Sequence, residues 1–232
     1  MTTHSLHLPR PMQLPGRRLL TPFRLQGWHL FVLLVLCEGL LTWFYQTQVL
    51  TRDLYHSLLK EQLEAQRIDA LFDLLKRISV WGYVTIPLFI GFRILFVAFL
   101  LQLPLVLRFI DIPFRQLFRI VAMASVLMLV FEAGRMFRLS GIAAEQMSKA
   151  DLNWVPLSLM SLLHISSSSA AVQGFFSHFN LFELGFLLLI WIGLLQTGKL
   201  KKMDAGLVVL VMWTVIILFQ WGLMMYTERM YG

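Results

Sequence analysis

Apolar residues gather into five long runs, separated by stretches where charge returns at regular intervals. The runs cover about Trp28 to Tyr45, Val80 to Val106, Arg119 to Glu132, Leu181 to Leu195 and Ala205 to Tyr226. A helix needs about 20 apolar residues to cross a hydrocarbon layer of about 30 Å, so these runs predict membrane spans. Trp28 at one end of the first run and Trp43 with Tyr45 at the other fit the two interfacial aromatic belts. The second run is long and contains Pro87, which predicts tilt or a kink. The third is short, with Arg119 and Arg135 placed to reach opposite faces.

Two stretches follow other rules. From 48 to 78, Leu50, Leu54, Leu58, Leu59, Leu63, Ile68, Leu71, Leu75 and Ile78 recur at helical spacing, with acids and bases at the remaining positions. No proline or glycine interrupts it. This predicts a single amphipathic helix, packed on its own bundle or lying on the membrane. The second stretch, Trp154 to Ile165, is apolar but too short to span, and suits a re-entrant or interfacial helix. The expected organisation is an arm at 1–27, a first transmembrane helix at 28–46, an amphipathic extramembrane helix at 47–79 and a transmembrane bundle at 80–232. The fold class is all-α, a polytopic helical bundle of about five spans.

Composition agrees: 58% of residues are hydrophobic and 14% charged, against about 25% charged in soluble domains. The formal charge of +7 reads as topology instead of as affinity for nucleic acid. With five spans, the arm, 107–119 and 196–204 share one side and carry ten Lys and Arg against two acids. The opposite pieces carry nine in nearly twice the length. Positive-inside bias then places the N-terminus in the cytoplasm and the C-terminus outside, in a bacterial cytoplasmic membrane. A sixth span at 154–170 would send Lys199, Lys201 and Lys202 outside. The first run lacks a signal-peptidase pattern and reads as an uncleaved anchor. In the arm, Arg10, Arg17, Arg18 and Arg24 stand among four prolines, placed to touch anionic headgroups. Cys37 is the only cysteine, so no internal disulfide forms.

Asn180-Leu-Phe-Glu-Leu leads into an apolar helix ending in Ile192-Gly193-Leu194, followed by a basic turn and a last apolar helix. This pattern resembles the C-terminal helix pair of the Yip1 family, five-span proteins with a cytoplasmic N-terminus. Val155-Pro156-Leu157-Ser158-Leu159 resembles bacterial membrane proteins of the same layout, and the resemblance spans roughly 80–226. The Asp-Leu-Tyr-Gly-type motif of eukaryotic members is absent, so the resemblance implies a fold and no particular activity.

Charged residues within spans are costly and mark candidate sites. Glu38 and Arg93 each fall midway along a run, which predicts one intramembrane ion pair or a proton or ion carrier with its counter-charge. Glu132, Arg135, His164 and Glu183 fall near the outer ends of their segments and define a possible outer-leaflet pocket. Asn180 and Glu183 have the spacing of a capping box. No metal or cofactor is expected: the six histidines are scattered and no His-Glu-x-x-His, Gly-x-Ser-x-Gly or phosphate loop occurs. These features predict a non-enzymatic scaffold with protein partners in the membrane, or a small transporter or channel subunit using Glu38 and Arg93 or the outer pocket.

Overall fold

The computed structural model describes residues 27–60, 62–143, 146–152, 154–155, 158, 176 and 178–231. The arginines of the arm, His164 and most of Trp154–Ile165 lie outside them. The described helices are α1 (Gly27–Phe44), a π-helical turn (Tyr45–Val49), α2 (Arg52–Leu59), α3 (Ala65–Leu107), α4 (Phe114–Ser140), α5 (Lys149–Leu152), α6 (Leu181–Gln196) and α7 (Lys202–Tyr231). Among the described residues the only extended pairing is an antiparallel bridge between Ser158 and Asn180. Four helices, those starting at Gly27, Ala65, Phe114 and Lys202, are long and apolar enough to cross a membrane, and α6 is a shorter apolar helix. The protein is an all-α integral membrane bundle.

α4 is the hub, packed on α1, α3 and α6, while α7 lies against α6 and α3. The short third run seen in the sequence is part of a 27-residue helix. The chain stays helical through Arg119, Glu132, Arg135 and Arg138 because none of them breaks the backbone ladder; charge limited the apolar run and left the helix intact. α3 runs 43 residues, about 65 Å at 1.5 Å per residue, and continues through both Pro87 and Pro104. Its first 15 residues, 65–79, are the charged part and extend roughly 22 Å past the apolar run.

The expected single helix over 48–78 is instead two elements folded against each other. Thr51 starts α2 by accepting a hydrogen bond from the Leu54 amide at 3.4 Å. α2 ends at Leu59, and α3 begins at Ala65. Helical spacing survives in both halves, but only Leu54 of the first and Ile68 of the second are buried, while Leu75 and Ile78 stay exposed. Arg52 pairs with Asp69 at 3.5 Å and Asp73 at 3.2 Å, and His56 meets Asp69 at 3.1 Å. Leu54 is fully buried and joins Val49, Leu139 and Met147 in a small second core. The α2 half of the amphipathic segment is therefore packed on the bundle.

The main core lies toward one end. Leu101, Leu105, Ile112, Leu117, Val121, Leu194, Ala205 and Val208 are almost or completely buried there. The basic loops close the same end. Arg108 pairs with Asp204 at 2.5 Å, Lys199 donates to the Asp111 carbonyl, and the Trp191 indole donates to the Lys202 carbonyl at 3.1 Å. The start of α1 is there too, with Gly27 beside Phe118 of α4.

The α4–α6 contact depends on two glycines of α6, since close approach of membrane helices needs small residues. A Cβ on Gly193 would sit 2.6 Å from Ile120 Cγ2 and 3.1 Å from its Cγ1. At Gly185 it would meet only the Leu127 Cδ2 at 2.7 Å, the mobile tip of its side chain. Ile120 is stiff at χ1 and gives less. Gly193→Ala should therefore cost about 1–3 kcal/mol by overpacking, and Gly185→Ala clearly less. Thermal unfolding of the two variants in detergent compares them directly; equal losses would contradict the packing account.

Candidate functional site

Toward the other end, the helices separate around a cavity of about 660 Å³. α1 contributes Glu38, α3 Arg93, α4 Ser125 and Glu132, α6 Glu183, and α7 Gln220; Val155 and His178 complete the wall. Counting along each helix from the basic end at about 1.5 Å per residue places Glu38 at about 17 Å, Arg93 at about 21 Å, Glu183 at about 20 Å, and Glu132 and Gln220 at about 27 Å. Against a hydrocarbon layer of about 30 Å, this is the middle and far half of the membrane.

The two groups expected from sequence thus form one site. Arg93 is not in a one-to-one pair with Glu38: no ion pair within 4.0 Å joins them among the described residues. Its charge interacts with Glu183, Glu38 and Glu132 together, and its guanidinium lies 6.0 Å from the centre of the Phe186 ring. The reason is positional. Each carboxylate comes from a different helix around the hollow, and among the described residues none lies within 4.0 Å of the guanidinium. Arg93 retains solvent-accessible surface because it faces the hollow and not the packed core.

Glu183 is the most constrained of the carboxylates. Asn180 caps α6 by accepting from the Glu183 amide at 2.8 Å. That is the first half of the expected capping box. The Glu183 side chain is used elsewhere: Oε1 accepts from the Trp213 indole at 3.3 Å, and Oε2 lies 3.3 Å from His178 Nδ1. Among the described residues, His178 Nε2 and Gln220 Oε1 are buried without a hydrogen-bond partner. Such groups are costly unless something else satisfies them, and both belong to residues of the cavity wall.

Glu132 and Arg135 lie on one face of α4, 3.8 Å apart, but Arg135 turns away from the hollow. It donates to the Leu152 carbonyl and so anchors the end of α5. Arg138 does likewise, 3.6 Å from Asp151 and 3.7 Å from the centre of the Trp154 ring. Asp151 is held below the ordinary carboxylate range, first by the Ser148 hydroxyl and then by the Ser148 amide, with Arg138 adding to them. His164 lies outside the described residues. Sequence reading missed His178, Trp213 and Gln220. His178 carried a signal, two residues before the cap and five before Glu183. Trp213 and Gln220 carried none, being ordinary interruptions of an apolar run. Among the described residues no group of three His, Cys, Asp or Glu is placed to hold a metal ion.

No protein-family model, curated protein or solved structure matches the chain. The Yip1 resemblance therefore rests on its quoted residues alone.

Cysteine labelling tests the hollow. In a Cys37→Ala background, Glu132→Cys and Gln220→Cys should react with a water-soluble maleimide in intact vesicles or cells, from one side only. Leu101→Cys and Val121→Cys, in the packed end, should stay unlabelled until the membrane is dissolved. Equal reactivity at all four positions would contradict a cavity closed at the basic end.

Proposed function

We propose that the protein is a small transporter or channel subunit whose cavity takes a small cation. The carrying observation is the convergence of Glu38, Glu132 and Glu183 on one hollow that contains a single arginine, Arg93. Glu132 already has Arg135 at 3.8 Å, so Glu38 and Glu183 face the one guanidinium of Arg93 and leave the wall with one carboxylate in excess, and the Gln220 oxygen, unpartnered among the described residues, adds an acceptor. A cation would satisfy both, where desolvation makes uncompensated charge expensive. Arg93 then serves as a fixed counter-charge that keeps the empty site tolerable. Glu183, held by His178 and the Trp213 indole, is the carboxylate most firmly fixed in the wall.

The Yip1-like layout belongs to this reading, as does a bacterial cytoplasmic membrane with the N-terminus in the cytoplasm. Grouping of Arg108, Lys199, Lys201 and Lys202 at one end of the bundle supports that orientation. The second reading, a non-enzymatic scaffold for a membrane complex, is favoured by a different observation. The α2–α3 hairpin projects past the apolar span and offers charged faces to a protein partner.

Reconstituted vesicles separate the two. Under a sodium, potassium or methylammonium gradient, wild type should pass at least one of these ions or exchange it for protons. Glu183→Gln and Glu38→Gln should lower that flux about tenfold or more, while Glu64→Gln, on the projecting hairpin, leaves it unchanged. Absence of flux for all three ions in wild type, together with co-purification of a membrane partner lost on deleting α2, would favour the scaffold.

A further inference from the structure

A second hollow of about 760 Å³ lies outside the charged site, between the end of α1, the π-helical turn, α2 and α3. Its position along the chain fixes its depth. Trp43 ends the first apolar helix, and Val80 begins the apolar run of α3 just beyond Lys76 and Ser79. The hollow therefore straddles the level where hydrocarbon gives way to headgroups. Its membrane side is apolar and open: Trp43 is 57% exposed, Ile78 53% and Val80 66%. Leu36 and Leu40 on α1 and Trp81 and Val84 on α3 extend the exposed apolar surface deeper.

The outer side is polar and carries two basic side chains. Arg52 and Lys76 line it, and among the described residues no carboxylate does. Arg52 is engaged by Asp69 and Asp73, whereas Lys76 has no ion pair within 4.0 Å among the described residues. Gln46 accepts from the Tyr83 hydroxyl at 2.9 Å through its oxygen, which leaves its amide nitrogen as a donor. Tyr55 and Phe72, edge to face at 5.5 Å, wall the upper rim.

We propose that this hollow is a binding site for one anionic phospholipid of the leaflet facing away from the basic loops. The phosphate meets Lys76, with Gln46 as a further donor, and the acyl chains run down the Trp43–Val80 face. The charge of the wall suits an anion, and its graded polarity suits an amphiphile standing at this depth. A soluble anion would have no use for the apolar half, and an apolar chain alone would leave Lys76 and Gln46 without a role.

The test uses the full chain in detergent, with native mass spectrometry following titration of phosphatidylglycerol, phosphatidylcholine and glycerol phosphate. One phosphatidylglycerol should be retained, in preference to phosphatidylcholine. Lys76→Glu should weaken it about fivefold or more, the scale expected for one basic side chain near an anionic headgroup. Lys60→Glu, outside the hollow, should leave it unchanged. Ile78→Ser should weaken both lipids and confirm the apolar half. Equal retention of the two lipids with no effect of Lys76→Glu would mean unspecific annular contact and overturn the proposal. Binding of glycerol phosphate as tight as that of phosphatidylglycerol would overturn the lipid assignment. Circular dichroism of each variant checks that the helices are intact.

Discussion

Hydrocarbon offers no hydrogen bonds and little stabilisation of charge, so each ionisable group placed within a span must be turned inward and given company. Glu38, Arg93 and Glu183 meet that demand together. None has a neighbour on its own helix that could neutralise it, and each finds the others only when α1, α3 and α6 come together with α4 and α7. The hollow is the geometric result. Side chains long enough to carry charge, aimed at a common centre, hold the helices apart at that level. Where the facing residues are instead Leu101, Val121, Leu194 and Val208, the same helices close completely.

The packed and hollow halves are linked by α4 and α6. Glycine at 193 lets α6 settle onto Ile120 in the packed half, and α6 is only 16 residues long. At about 24 Å it is shorter than the hydrocarbon layer. Its first turn therefore falls at membrane depth and presents Asn180, Glu183 and the neighbouring His178 to the hollow. A longer helix in this position would have carried Glu183 out to the surface.

The spans were legible because length and apolar content decide them locally. Leu181 as the start of α6 came directly from the sequence, as did the capping role of Asn180. The division of 47–79 into two elements did not. Both halves keep the same leucine spacing, and the break at residues 60–64 contains no glycine or proline. What decides it is tertiary: doubling back lets Leu54 enter the second core and Ile68 become buried, and Arg52 and His56 meet Asp69 and Asp73 at the surface. Thr51 with Asp53 behind it was the one local hint of a helix start. For the site, depth could be counted from one sequence, so Glu38 and Arg93 were found together. The rotation of each helix about its axis could not, and that rotation brings Glu132 and Glu183 to the same hollow while sending Arg135 to Leu152.

The continuity of α3 has a mechanical side. One uninterrupted helix carries Lys76 and Tyr83 at the interfacial hollow and, ten residues past Tyr83, Arg93 at the charged one. Between them stands Pro87, which has no amide to give to the Tyr83 carbonyl four residues earlier. Pro104 weakens the rod likewise near its far end, but the joint at Pro87 is the one that falls between its two loads. A bend at Pro87 would move the outer arm and its hollow relative to the inner arm that carries Arg93.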